Sequence, residues 1–311
     1  MRALVTGGAG FIGSWLCEKL IERGNFAICF DNFSTGSKDN LKNILNHKNF
    51  KLINGDILDV QNLKKAISEN SIDIVFHFAA VVGVKRTLEN PLQVLNTNII
   101  GTKNVLESSL NCKKLIFTSS SEVYGEPLKI PESEDGPLNS HLPYAVSKLV
   151  GEKYCRAYFD EFGLKATSLR LFNVYGPKQI SSQYGFVTTI FINRVLKNLQ
   201  PIIYGDGNQT RDFTFIEDCI NAIISTAEKK NTDGIVLNIG TGKSVSINEL
   251  AEKIIKISGK NLKPKHVAPR EHDIRNRLSD ITKMKKVLRF TPKISLEEGL
   301  KKTIEWYKSS Q

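Results

Sequence analysis

Tyr144 and Lys148 stand four residues apart in PYAVSKLVGEKY. On a helix that spacing places both side chains on one face. A lysine ammonium near a phenol favours the phenolate and lowers its pKa from ~10 towards neutrality, which makes the tyrosine a usable general base. Ser119, Ser120 and Ser121 close the apolar run KLIFTSSS, so a hydroxyl emerges at the carboxyl edge of a sheet, where open α/β folds place their ligands. Glu122 follows directly and is either an acid or base of the reaction or a residue that bonds the backbone of the EVYG turn.

A second constellation opens the chain. Leu4, Val5 and Thr6 end an apolar run, and Gly7, Gly10 and Gly13 follow as GxxGxxG before a helix beginning near Ser14. Glycines there allow a sharp turn and bring bare amides to a pyrophosphate at the positive end of the helix. Asp31, at the end of the second apolar run, is placed to accept hydrogen bonds from an adenosine ribose and to repel the extra phosphate of NADP, so NAD is the expected cofactor. Asp56, after the third run, either meets the adenine amino group or caps a helix.

These residues need a scaffold that presents strand ends. The runs RALVTG, FAICFDN, FKLINGD, DIVFHFAA and KLIFTSSS each precede a helix-like stretch, the βαβ rhythm of a parallel sheet covered on both faces. Helices are expected over 14–23, 63–70, 91–110 and 144–162. The fold class is therefore α/β, a Rossmann-type doubly wound parallel sheet with a smaller, interleaved C-terminal substrate domain. The expected division is 1–172 for the dinucleotide-binding domain and 173–311 for the substrate domain. Beyond LRLFNVYGP the pattern loosens: glycine and proline punctuate 184–212, a strand-like IVLNIG precedes a helix over 247–258, and 260–280 reads as polar, basic and irregular.

Composition narrows the classes. A chain of 311 residues with 41% apolar content can bury a proper core, and two domains are expected at this length. MRALVTGGAG has no signal-peptide core and no run approaches the ~18 apolar residues of a membrane span, so a cytoplasmic, membrane-free enzyme is expected. Cys17, Cys29, Cys112, Cys155 and Cys219 are odd in number and lack CxxC spacing, which argues for reduced thiols and no metal site. The net charge of +11 is spread along the chain, and its richest basic stretch, 283–289, reads as a solvated helix. It suits an anionic small substrate better than nucleic acid.

Taken together, TGGAGFIGS, DNFSTG, GDILD, HFAA, NTNIIGT, TSSSEVYG, YAVSK, LRLFNVYGP, GDGNQTRDF and REHDIRNRLSDITK resemble the extended short-chain dehydrogenases, in particular the nucleotide-sugar epimerases and dehydratases typified by UDP-glucose 4-epimerase. The resemblance runs over essentially the whole chain. It implies that Gly7, Gly10, Phe11, Ile12 and Gly13 bind the pyrophosphate, Asp31 and Asn32 the adenosine ribose, and Asp56 and Ile57 the adenine. Phe78, Ala79, Ala80 and Asn98 then line the nicotinamide half. Tyr144 and Lys148 match the catalytic pair, and Ser120 the hydroxyl that bonds the sugar oxygen, with Ser121 beside it.

The same resemblance assigns Asn173, Arg211, Arg270 and Asp273 to the nucleotide diphosphate and its ribose, although the arginines read alone are surface residues. The usual RPGD is Arg270, Glu271, His272 and Asp273 here. Arg277 falls where related epimerases carry a residue near the hexose; read alone it is a surface arginine, and at the hexose it could meet a sugar carboxylate. The implied activity is 4-epimerisation of a UDP-hexose through a 4-keto intermediate, by a homodimer built on helices 91–110 and 144–162. UDP-glucuronate decarboxylase and nucleotide-sugar 4,6-dehydratase are the alternatives, because Ser121 and Glu122 resemble the pair those enzymes carry. A non-catalytic NAD-binding regulator is disfavoured by the presence of both Tyr144 and Lys148.

Overall fold

In the computed structural model, residues 1–180, 186–270 and 273–309 are described. RALVT forms strand β1 (Arg2–Thr6), buried over its last four residues, as suits a strand covered on both faces. Strands β2 (Phe26–Asp31), β3 (Phe50–Asn54), β4 (Ile74–His77), β5 (Lys114–Ser120) and β6 (Ala166–Leu171) join it, with Val236–Ile239 as the seventh. Their order is Val236–Ile239, β6, β5, β4, β1, β2, β3. The pairs β1·β2, β1·β4, β2·β3 and β4·β5 run parallel. Order reverses between β1 and β4, so the expected doubly wound sheet has its switch point beside the glycine-rich loop.

Helices α1 (Phe11–Glu22), α2 (Val60–Ser68), α3 (Val84–Glu89), α4 (Pro91–Ser108) and α5 (Pro143–Phe162) cover this sheet. α1 starts earlier than its sequence suggested because Gly10 is the N-cap and Gly13 sits inside the first turn. Proline opens α4 and α5, and Gly163, left-handed at φ 69°, closes α5. Asp59, not Asp56, caps α2, accepting the amide of Asn62. The core gathers Leu4, Ile28, Phe30, Leu63, Val75, Val105, Leu115 and Phe117.

The chain divides into two compact units. One comprises Met1–Val123, Ser140–Arg170 and Ile220–Leu237, and the other Tyr124–Asn139, Leu171–Cys219 and Asn238–Gln311. In the second unit the stretch punctuated by glycine and proline, and part of the one expected to be irregular, carry regular structure. Helix Val187–Leu196 lies within 184–212. Lys265–Val267 becomes a strand because it finds a parallel partner in Ile202–Tyr204, a pairing that local composition does not reveal. No helix among the described residues is long and apolar enough to cross a membrane.

Candidate active site

The glycine loop is shaped by close approach. Gly7 has φ +70°, and a Cβ there would lie 2.7 Å from the Ala79 amide nitrogen; a Cβ on Gly13 would lie 2.2 Å from the Gly7 carbonyl. Any side chain would push α1 off the sheet. A Cβ on Gly10 would meet only the Gly7 carbonyl, at 3.2 Å, so its bareness keeps room for a ligand. α1 has no side-chain cap and no acidic residue in its first turn. Its amides, including those of Phe11 and Ile12, form a ready anion site.

Asp31 lies at the end of β2, accepting the Ala9 amide at 2.9 Å and the Phe33 amide at 2.8 Å. Burial pushes its carboxyl above the ordinary range, and the two amides oppose that rise. Asn32 donates to Asp56 at 2.9 Å, while Asp56 also accepts the Leu58 amide at 2.8 Å. The adenosine-side residues Asp31, Asn32 and Asp56 therefore form one connected rim. Ile57 differs: its side chain packs into the core where Gly101 leaves space, and its carbonyl accepts from Asn104.

Phe78, Ala79 and Ala80 follow β4 and are half-buried. Asn98 is buried, and its amide group bonds both the N–H and the C=O of Val81 as well as Ser147 Oγ. It holds the loop after Ala80 against α5. His77, which the sequence did not single out, lies between Thr6 and Thr102 at 2.8 and 3.0 Å. Burial, and then the Lys148 charge, push its pKa down to about 3.

The residues expected to transfer a proton sit where β5 meets α5. Lys148 Nζ lies 5.8 Å from the Tyr144 ring centroid and donates to the Thr118 carbonyl at 2.7 Å. Ser120 hydrogen-bonds Tyr144 and accepts the Glu122 amide at 3.2 Å. The expectation that Lys148 lowers the phenol pKa is corrected: burial pushes Tyr144 up, the Ser120 bond opposes this, and the Glu122 charge adds to the rise. Burial also pushes Lys148 down to about 7. The lysine points to a backbone carbonyl, so in the unliganded chain the phenol keeps its proton.

In the second unit, Arg211 Nη2 pairs with Asp273 at 2.7 Å, and Gln209 donates to the other Asp273 oxygen at 3.2 Å. Asn173 donates to the carbonyl of Asp212 at 3.1 Å. Arg270 is exposed and stacks over Tyr204 at 3.8 Å; Glu271 and His272 lie outside the described residues. Arg211 is thus no loose surface arginine. Sequence reasoning missed Arg275, which grips Asp206 with two bonds of 2.7 and 2.8 Å, and the fully buried Asp212, which accepts the amides of Thr241 and Gly242.

Arg277 corrects the surface reading most clearly. It is 1% exposed. Its Nη1 donates to Glu132 at 2.6 Å and its Nη2 to the Gly125 carbonyl at 3.2 Å. Glu132, 3% exposed, accepts the Leu278 amide on its other oxygen. The guanidinium has its carboxylate within the protein.

Known proteins resemble the chain over essentially its whole length. The GDP-mannose 4,6 dehydratase family model matches residues 4–303. A UDP-N-acetyl-alpha-D-glucosaminuronate decarboxylase of Bacillus cytotoxicus is 37% identical over 320 residues, covering 99% of this chain and 98% of that protein. A UDP-glucose 4-epimerase of Mycolicibacterium smegmatis is 35% identical over 312 residues, covering 99% of each. The solved UDP-glucuronic acid 4-epimerase of Bacillus cereus, in complex with UDP-glucuronic acid and NAD, matches with a TM-score of 0.92 at 33% identity over 100% of both chains. The cofactor is NAD, which the bare glycine cradle and Asp31 fit. With cofactor loop, proton-transfer group and whole-length likeness in agreement, the chain belongs to the NAD-dependent nucleotide-sugar epimerases, decarboxylases and dehydratases of the extended short-chain dehydrogenase type.

Proposed function

We propose that the chain interconverts the 4-epimers of an uncharged UDP-hexose through a 4-keto intermediate. Bound NAD supplies a two-electron acceptor for the hydrogen on carbon 4 and returns it, so no net oxidation occurs. Tyr144 takes the proton of the 4-hydroxyl and later gives it back, Ser120 bonds the same oxygen, and Lys148 holds positive charge near the phenol. Arg211, with Arg270, Asp273 and Asn173, anchors the nucleotide diphosphate, for which a guanidinium fork is well suited.

The observation that carries the choice of an uncharged sugar is the closed Arg277–Glu132 pair, because a hexuronate binder needs its cation available to the substrate. Decarboxylation or dehydration is the second reading, favoured by one observation: the Glu122 amide bonds Ser120, so a further carboxylate-bearing residue adjoins the proposed catalytic serine. Incubation with a panel of UDP-hexoses, UDP-hexosamines and UDP-hexuronates, with products followed by mass and NMR, tests the reading. A product of unchanged mass inverted at carbon 4 is expected, with Glu122→Gln retaining most of the turnover. A product lighter by one carbon dioxide or one water overturns it.

The same reading includes a homodimer. Leu92 and Ile100 on α4 stay 73% and 48% exposed and Phe162 on α5 59%, apolar side chains that a second copy packed on these helices would cover. Light scattering should give twice the chain mass, and Ile100→Asp should give a monomer; a monomeric parent chain ends this part of the proposal. The five unbridged thiols suit a reducing cytoplasm.

A further inference from the structure

The face of α5 that carries Tyr144 and Lys148 continues one turn further, to Glu152. Lys148 Nζ holds the carbonyl of Thr118 at 2.7 Å, and Glu152 Oε1 accepts the hydroxyl of Ser119 at 2.5 Å. Two successive residues of β5 are therefore gripped by two successive turns of α5. Arg170, from β6, closes the arrangement with a two-pronged bond: Nε to Glu152 Oε1 at 2.9 Å and Nη2 to Oε2 at 2.8 Å. Ser119, Lys148, Glu152 and Arg170 are all buried.

A buried ion pair is weak evidence for stability, since apolar residues of the same volume often do as well or better, and fixing one geometry among several is its better-attested use. What this pair fixes is the end of β5. Successive strand residues point to opposite faces, so anchoring Ser119 determines where Ser120 points, and Ser120 is the hydroxyl that bonds Tyr144. We propose that Ser119, Glu152 and Arg170 are positioning residues that set Ser120 against Tyr144, with Arg170 also cancelling the Glu152 charge one helical turn from Lys148. The proposal rests on the catalytic roles given above to Ser120 and Tyr144.

Ser119→Ala removes one donor and leaves Glu152 paired with Arg170, so it is the variant least harmful to folding. It should lower kcat about tenfold, ~1.4 kcal/mol, with KM, UDP affinity and NAD content unchanged, and Ser119→Thr should restore most of the loss. In a Ser120→Ala background the same change should add almost nothing, because residues acting through one another are not additive. Undiminished kcat in Ser119→Ala, or an equal loss in both backgrounds, overturns the proposal. The unmodified chain is run beside every variant: if it turns over no UDP-sugar, the proposed function falls. Positioning is then judged on the crystal structure of Ser119→Ala, where an undisturbed Ser120–Tyr144 bond overturns it and a broken one upholds it.

Discussion

Tyr144→Phe is expected to reduce turnover by two to four orders of magnitude while leaving affinity for UDP nearly unchanged. The substitution removes only the oxygen that Ser120 bonds, the atom proposed above to exchange a proton with the sugar. A positioned acid or base contributes ~10²–10⁴ in rate, equivalent to roughly 3–5 kcal/mol of transition-state stabilisation. The ring itself stays on α5 at the same place relative to Lys148, so folding and cofactor loading should survive. Burial pushes the phenol up and Lys148 down to about 7, so the protein alone does not prepare the phenolate. Bound NAD would supply a cationic nicotinamide ring as a further charge favouring it. Full turnover is therefore expected only in the NAD-loaded enzyme. Retention of more than about a tenth of the parent kcat by Tyr144→Phe would remove the tyrosine from its assigned role.

What was legible in the sequence was local. Glycine spacing, the acidic end of β2 and the four-residue step from Tyr144 to Lys148 depend on one turn or one helix: Asp31 ends β2 and Tyr144 and Lys148 share α5, while the glycines run on into the first turn of α1. Roles set by distant partners were not legible. The resemblance assigns Asn98 to the nicotinamide half, and what the sequence does not show is that its amide ties Val81 to Ser147, a loop and a helix that only the folded chain brings to it. The spacing alone points Lys148 at the phenol, but the carbonyl of Thr118 takes its proton bond, a partner set by where β5 meets α5. Glu152 could have been noticed as the next member of the 144, 148 series. Arg170 could not, since nothing in LRLFNVYGP distinguishes a buried arginine from a phosphate-binding one.

Arg277 shows the same limit with a larger energetic consequence. Its partner Glu132 lies 145 residues away in sequence, and the two side chains are excluded from water. Glu132→Gln should therefore take the buried carboxylate from the Arg277 guanidinium and cost about 3–5 kcal/mol, a large share of the ~5–15 kcal/mol that holds a typical domain folded. Denaturant titration should show a lower midpoint with an unchanged slope. Glu132→Gln combined with Arg277→Met should recover most of the loss, because an apolar side chain of similar length needs no counter-charge. A single variant as stable as the parent chain would mean that the pair opens to water in solution. Substrate preference is the second readout. With an uncharged hexose as substrate the pair stays closed throughout turnover, so Glu132→Gln should leave the choice between UDP-hexose and UDP-hexuronate where it was. A swing towards hexuronate would put the Arg277 guanidinium at the sugar and take away the observation on which the uncharged-hexose reading stands.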